Sequence, residues 1–250
     1  MNQEFLFLLD VVLASRLVFV FRDNPLSTRG LCLLAGIQCV GLLVYHIQIA
    51  WTVLLACLVI ITVVFHLLEV RRRKTDGLRV LSLAAQAIVL SVFFSPAVHL
   101  EFNPAVCAML SGLGTYSLLL TPWGSLRASE CCSAAMGGLL VLNEVNLLIR
   151  FQLRALDLVP PPGAAPAQGG VDGKEYATGR VIGILERILI FAAVLGNQIA
   201  AIGIVLAAKG FIRFKEMDDR PFAEYVLIGT LMSALYAVIV GLAVKSLLGQ

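Results

Sequence analysis

The sequence predicts an all-α, polytopic bundle of transmembrane helices. Hydrophobic residues make up 59% of the 250 residues and charged residues only 14%, whereas about a quarter of the residues of a soluble domain are charged. The mean hydropathy of the chain is +0.92. This composition makes a soluble enzyme improbable, and the net charge of +3 indicates no strongly basic face for nucleic acid.

The apolar residues form runs close to the roughly 20 residues that cross about 30 Å of hydrocarbon. About eight spans are predicted, at residues 5–21, 30–45, 49–68, 78–97, 104–120, 132–149, 181–208 and 222–247. Spans one and six are the doubtful ones, because Asp10 and Arg16 interrupt the first, while Asn143, Glu144 and Asn146 interrupt the sixth. No basic cluster precedes the first run, so we expect a retained span there and no cleaved signal peptide.

The basic residues predict the orientation, since short cytoplasmic loops retain Lys and Arg. If the cluster at residues 71–74 is cytoplasmic, twelve of the nineteen Lys and Arg residues, Arg79 among them, fall on that side. Both termini are then extracytoplasmic, and the lipid bilayer is the first partner of the chain.

Three regions follow along the chain. Residues 1–155 hold membrane helices one to six, and residues 179–250 form a C-terminal helical hairpin of spans seven and eight. Between them, residues 156–178 are rich in Pro, Gly and Ala, which cannot bury a core. This segment is predicted to be a flexible exterior linker.

Spans seven and eight each carry a face of small residues, the pattern that lets helices approach closely in lipid. We interpret these faces as ordinary bundle packing, ahead of a conformational gate, and expect a homo-oligomer through them. The residues are Gly196, Ala200, Gly203, Ala207 and Gly210 on span seven, and Gly229, Ser233, Ala237 and Gly241 on span eight.

Ionisable side chains at membrane depth are the functional candidates, because each costs about 2.5–3.5 kcal/mol on insertion scales unless it is paired or hydrated. The acids are Asp10, Glu144 and Glu186, and the bases near them in sequence are Arg16, Arg150 and Arg187. They are either structural ion pairs between helices or the lining of a solute or ion path.

Polar amides extend the candidate path. Asn143, Asn146 and Arg150 share one helix face, at i, i+3 and i+7. Asn197 and Gln198 fall near the middle of predicted span seven, where a buried amide needs a hydrogen-bond partner.

The turn between spans seven and eight alternates basic and acidic residues. This cytoplasmic elbow is predicted either to hold the hairpin closed or to receive a cytoplasmic protein partner. Its candidate residues are Lys209, Arg213, Lys215, Glu216, Arg220, Glu224 and Tyr225.

No metal or cofactor site is predicted. Three histidines are too few for a di-iron centre, and the six cysteines lack metal-ligand spacing, so they are interpreted as small buried apolar residues. His66 and Glu69, one turn apart, are interpreted as a solvated helix end and not as ligands. No catalytic motif is found, so an enzyme is not the favoured class.

Three segments carry a resemblance: residues 179–187 (GRVIGILER), 207–214 (AAKGFIRF) and 219–230 (DRPFAEYVLIGT). They resemble a region, here within residues 179–238, that recurs in a family of uncharacterised bacterial polytopic inner-membrane proteins. The resemblance implies a multi-pass protein of the bacterial inner membrane. It singles out Glu186, Arg187, Lys209, Arg213, Glu224 and Tyr225, without implying a reaction.

Three functions are therefore weighed. The first is a transporter or channel for a small solute or ion, using the buried carboxylates and the midplane amides. The second is a membrane-anchored assembly, defence or stress component that docks a cytoplasmic partner without transport or catalysis. A third, weaker one is lipid-processing chemistry at the cytoplasmic face.

Overall fold

The computed structural model describes residues 3–22, 24–72, 75–96, 98, 100–105, 128–156, 173–213 and 220–249. Within these residues the chain is helical and contains one isolated bridge, between Tyr45 and Phe102, so the all-α class is confirmed. The chain divides into two compact units, Met1–Leu139 and Leu140–Gln250.

The N-terminal unit has five described α-helices. The helices are α1 (Gln3–Ser15, extended by a 3-10 turn at Arg16–Phe19), α2 (Thr28–Leu42), α3 (Ile49–Arg72), α4 (Thr75–Phe93) and α5 (Ala128–Leu139). Helix α1 packs against α2, α4 and α5, and α3 packs against α2 and α4. Leucines from four of these helices, including Leu8, Leu42, Leu54 and Leu90, have no exposed surface and form the core.

Glycine allows α1 and α2 to approach each other closely. A Cβ atom at Gly41 would lie 2.4 Å from Cγ1 of Val11 on α1. Any side chain at this position would therefore push the two helices apart.

The C-terminal unit begins with a π-helical segment, Leu140–Glu144, and continues with α6 (Val145–Ala155), α7 (Gly173–Leu195), α8 (Ile199–Arg213) and α9 (Arg220–Leu247). Helix α7 packs against both α8 and α9, and α6 packs against α9. At Gly241 a Cβ atom would lie 2.8 Å from Cγ1 of Val194, so glycine sets the spacing of α7 and α9.

Predicted span seven is not one helix, and its interpretation as a single span is wrong. Asn197 has a φ of 57°, the left-handed conformation that ends many helices. Its N–H donates to the carbonyl of Val194 at 3.2 Å, and the N–H of Gln198 donates to the carbonyl of Ala193 at 2.7 Å. This pair of bonds is a Schellman motif, so the chain turns at residues 196–198 and α7 and α8 are separate helices.

Four described helices are long and apolar enough to cross a membrane: Ile49–Arg72, Thr75–Phe93, Glu130–Ala155 and Glu224–Leu247. They correspond to predicted spans three, four, six and eight, so the doubtful sixth is among them. The helices Thr28–Leu42 and Ile199–Phe211 are apolar but shorter. Nearly all of predicted span five lies outside the described residues.

Large apolar side chains face outward along these helices. On α3, for example, Ile60 is 59% exposed and Leu67 is 61% exposed. Contiguous apolar surface of this kind is unusual on a soluble monomer and suits contact with lipid.

Candidate functional site

A cleft of about 220 Å³ lies in the C-terminal unit and is lined by residues of α6, α7, α8 and α9. Among the described residues, its lining includes four basic residues and no acidic one. The basic residues are Arg150, Arg180, Arg187 and Lys209, and the polar residues beside them are Asn146, Tyr225, Thr230 and Ser233. The lining therefore has the chemistry of an anion-binding site.

Arg187 is the most buried of these cations, with 4% of its surface exposed. Its Nε donates to the carbonyl of Val141 at 3.1 Å, and its Nη1 lies 3.4 Å from Oγ of Ser233. Both acceptors are neutral. The third nitrogen, Nη2, is buried and has no acceptor among the described residues. A buried guanidinium with an unused donor is costly unless a ligand or water completes it.

Lys209 reaches the cleft from α8 and forms an ion pair with Glu186 of α7. Their side chains are 18% and 16% exposed. Glu186, a candidate for the solute path, is thus the partner of a predicted elbow residue, and the carboxylate does not line the cleft.

Glycines leave room for the cleft. A Cβ atom at Gly183 would meet only Nη1 of Arg187, at 3.7 Å, and one at Gly179 would meet nothing within 4 Å. On α9, a Cβ atom at Gly229 would meet Cδ1 of Leu153 at 3.9 Å. All three glycines line the cleft, so a larger side chain at any of them would fill it.

The three residues predicted to share one face of span six do not all belong to the same site. Asn146 and Arg150 line the cleft, whereas Asn143 does not. Asn143 and Glu144 are both buried in the π-helical segment, where Nδ2 of Asn143 donates to Oε1 of Glu144 at 2.8 Å.

The amides of Asn197 and Gln198 are exposed in the turn between α7 and α8, so their predicted position inside one span is wrong. Asn197 accepts a hydrogen bond from Nζ of Lys245. The predicted interior pair is therefore part of a helix cap.

The residues of the predicted elbow lie at several different places in the structure. Lys209 and Tyr225 line the cleft, and Glu224 is exposed at the start of the α9 candidate span. Arg213 ends α8 and Arg220 begins α9, although their side chains are not described. Lys215 and Glu216 lie outside the described residues.

The N-terminal unit contains a buried ion pair that the sequence analysis missed. Nε of Arg79 donates to Oε1 of Glu69 at 2.7 Å, and Nη2 lies 2.6 Å from the same oxygen. Arg79 also donates to the carbonyls of Arg22 and Asn24, at 2.6 and 2.9 Å. Because Glu69 is only 4% exposed, its interpretation as part of a solvated helix end is wrong.

A second arginine joins this cluster. Arg16 is 2% exposed and donates to Oγ of Ser82 at 2.8 Å and to the carbonyl of Arg79 at 2.7 Å. Phe19 lies against both guanidinium groups, with its ring centroid 4.4 Å from Cζ of Arg79 and 5.3 Å from that of Arg16. The cluster lines a partly open cavity of about 30 Å³, enough for one or two waters.

The sequence of α4 contains a polar pattern that indicates this buried cluster. Asp76, Arg79, Ser82 and Gln86 recur at spacings of three and four and are all buried. The two arginines have acceptors within the cluster, so we assign it to stability. Asp10, another path candidate, lies in this unit on α1, half-buried.

Among the described residues, no group of three or more His, Cys, Asp or Glu residues could hold a metal ion. Within the part of the chain that the structure describes, the cationic cleft is the site whose lining best suits an anionic ligand. No protein-family model, curated protein or solved structure matches the chain.

Proposed function

We propose that the protein is a multi-pass membrane protein that binds a small anion in the cleft of its C-terminal unit, as the substrate site of a transporter. One observation carries this proposal. A buried arginine lines a cleft rich in basic residues, and its Nη2 has no acceptor among the described residues.

The composition of the cleft supports an anion over a cation or a neutral solute. Of the residues that the structure describes, four basic side chains and no acidic one line about 220 Å³ of space, and Glu186 pairs with one of the four, Lys209, from outside the lining. An Arg side chain can bind two oxygens of a carboxylate or phosphate at once, so charge and geometry favour an oxyanion.

The solute path was predicted beside Glu144 and Glu186, but in this proposal neither carboxylate contacts the solute. Glu186 holds Lys209 and Glu144 accepts from Asn143, so these carboxylates act as positioning groups. The solute contacts belong to Arg187, Arg150 and Asn146, which were path candidates in the sequence analysis, and to Tyr225, which was an elbow candidate.

The test is anion binding by the purified full chain in nanodiscs, followed by flux into liposomes. Wild type should bind at least one of phosphate, sulfate, acetate and succinate. Replacing Arg187 with Gln removes a charged hydrogen-bond donor, worth about 1.5–3 kcal/mol, so affinity should fall at least about tenfold.

Lys245→Gln is the matched control. It removes one positive charge from the same unit, at a residue whose Nζ bonds to the exposed turn. The proposal fails if wild type binds no anion of the panel, or if Arg187→Gln binds as tightly as wild type. Anion binding without flux would refute the transporter function and still support the anion-binding site.

We further propose a bacterial inner-membrane location, on the resemblance of residues 179–238. A multi-pass chain is proposed from the apolar runs, but the predicted count of about eight spans took residues 181–208 as one span, and the turn at residues 196–198 divides them. The orientation with both termini extracytoplasmic depended on that count and stays a prediction. A homo-oligomer also stays a prediction, since the small-residue face of α9 is used within the chain, where Gly241 packs against Val194 of α7.

Docking of a cytoplasmic protein at the elbow also stays a prediction. Two of its candidate residues, Lys215 and Glu216, lie outside the described residues. Crosslinking in native membranes, with charge reversal at Arg213 and Lys215, is the experiment that would reveal such a partner.

A further inference from the structure

An apolar groove adjoins the cationic cleft. The groove has a volume of about 110 Å³ and lies between α8 and α9. Its apolar walls come from Leu206, Gly210, Leu227 and Leu231. Lys209, Val226 and Thr230 line both the groove and the cleft, so the two spaces lie side by side at these residues.

The groove faces outward, as a lipid-accessible surface must. Leu227 is 54% exposed and Leu231 is 53% exposed. Both belong to the helix that is long and apolar enough to span a membrane from Glu224 to Leu247. In a bilayer, an outward groove on this helix is filled by an acyl chain.

The cleft and the groove also lie near one end of that candidate span. Thr230 is six residues after Glu224, which is about 9 Å along a helix. Phosphates lie at the edge of the hydrocarbon, where long basic side chains reach them readily.

We infer that the anion of the cleft is the phosphate headgroup of a membrane phospholipid with net negative charge, and that one of its acyl chains lies in the groove between α8 and α9. This inference rests on the proposed function and names the class of its ligand. The polar volume of about 220 Å³ is smaller than the roughly 300–1,000 Å³ of pockets for drug-sized molecules, and it suits a small headgroup.

The two halves of the site have different tasks. An acyl chain gains little by leaving other lipid tails for the groove, because both surroundings are apolar. Selection must therefore come from the headgroup, through the basic residues of the cleft. The groove determines whether a lipid, and not only a soluble phosphate, can reach them.

The experiment compares lipid and inorganic phosphate on the same full-length variants. The protein is extracted from membranes of defined composition that contain phosphatidylglycerol and phosphatidylcholine. Retained lipids are counted by native mass spectrometry, and phosphate binding is measured separately by calorimetry. Wild type should retain phosphatidylglycerol well above its share of the membrane, and Arg187→Gln should lose this enrichment.

Two glycines of α8 provide a matched pair for the groove. A Cβ atom at Gly210 or at Gly203 would meet nothing within 4 Å, but only Gly210 lines the groove. Gly210→Leu should reduce retention of phosphatidylglycerol and leave phosphate binding unchanged. Gly203→Leu should change neither. Leu231→Phe is a second groove-filling variant, should Gly210→Leu fold poorly.

The outcomes separate the inference from the proposed function. Phosphate binding that depends on Arg187, together with unselective lipid retention or no effect of either groove-filling variant, overturns the lipid inference and keeps the anion site. If neither phosphate nor phosphatidylglycerol binds above background, and no other anion of the panel binds, both the lipid inference and the proposed function are refuted.

Discussion

Replacing Arg79 with Met tests whether the buried ion pair stabilises the N-terminal unit. The change removes the bonds to Glu69, Arg22 and Asn24 and leaves the carboxylate of Glu69, 4% exposed, without its arginine. Removing one partner of a buried pair costs about 3–5 kcal/mol. The free energy of unfolding should fall by that amount.

The double variant Arg79→Met with Glu69→Leu sharpens this prediction. Apolar residues that replace both partners leave no uncompensated buried charge, and such replacements are often close to neutral. We therefore expect the double variant to be more stable than Arg79→Met alone, by about 2 kcal/mol or more.

Trp51 provides a local assay. Its Nε1 donates to the carbonyl of Leu42 at 2.7 Å within the same unit. The chain has two tryptophans, so a Trp123→Phe background leaves Trp51 as the reporter of equilibrium unfolding in mixed micelles. The reasoning is refuted if Arg79→Met unfolds like its parent, or if the double variant is no more stable than the single one.

The remaining predictions concern glycine and the turn, and all are measured as shifts in unfolding free energy. Gly241→Ala places a Cβ atom 2.8 Å from Val194 and should destabilise by about 1–3 kcal/mol. Gly41→Ala, with its 2.4 Å contact to α1, should also be destabilising. Gly203→Ala meets nothing within 4 Å and should instead stabilise by up to about 1 kcal/mol; destabilisation there would contradict the packing argument. Asn197→Val should cost about 1–2 kcal/mol, because valine disfavours the left-handed conformation, whereas Asn197→Gly should be tolerated.

Apolar run length predicted much of the fold. The helices at residues 49–72, 75–93 and 224–247 match runs that needed only hydrophobicity to recognise. The break in span seven was missed because Asn197 lies in an apolar context. Its signal was local, a Gly-Asn pair suited to a helix end, and hydropathy does not contain it.

The sequence analysis selected several residues of the cleft but did not group them into one site. Arg150, Arg187 and Lys209 were selected as ionisable groups, but the first two were assigned to a path and the third to an elbow. Their meeting in one cleft depends on the turn after Leu195, which pairs α7 with α8. Arg180 was missed because it precedes the predicted span, and Arg79 because it was counted with the basic cluster on the cytoplasmic side.

The cap at Asn197 also sets a register. Glu186 lies eleven residues before Asn197, and Lys209 lies eleven residues after Gln198, so each is about 16 Å from the bend. Inserting a single residue into α8 between this cap and Lys209 would rotate the remainder of the helix by about 100° and carry Lys209 away from its carboxylate. A change in the backbone far from any ligand contact would therefore abolish anion binding in the cleft.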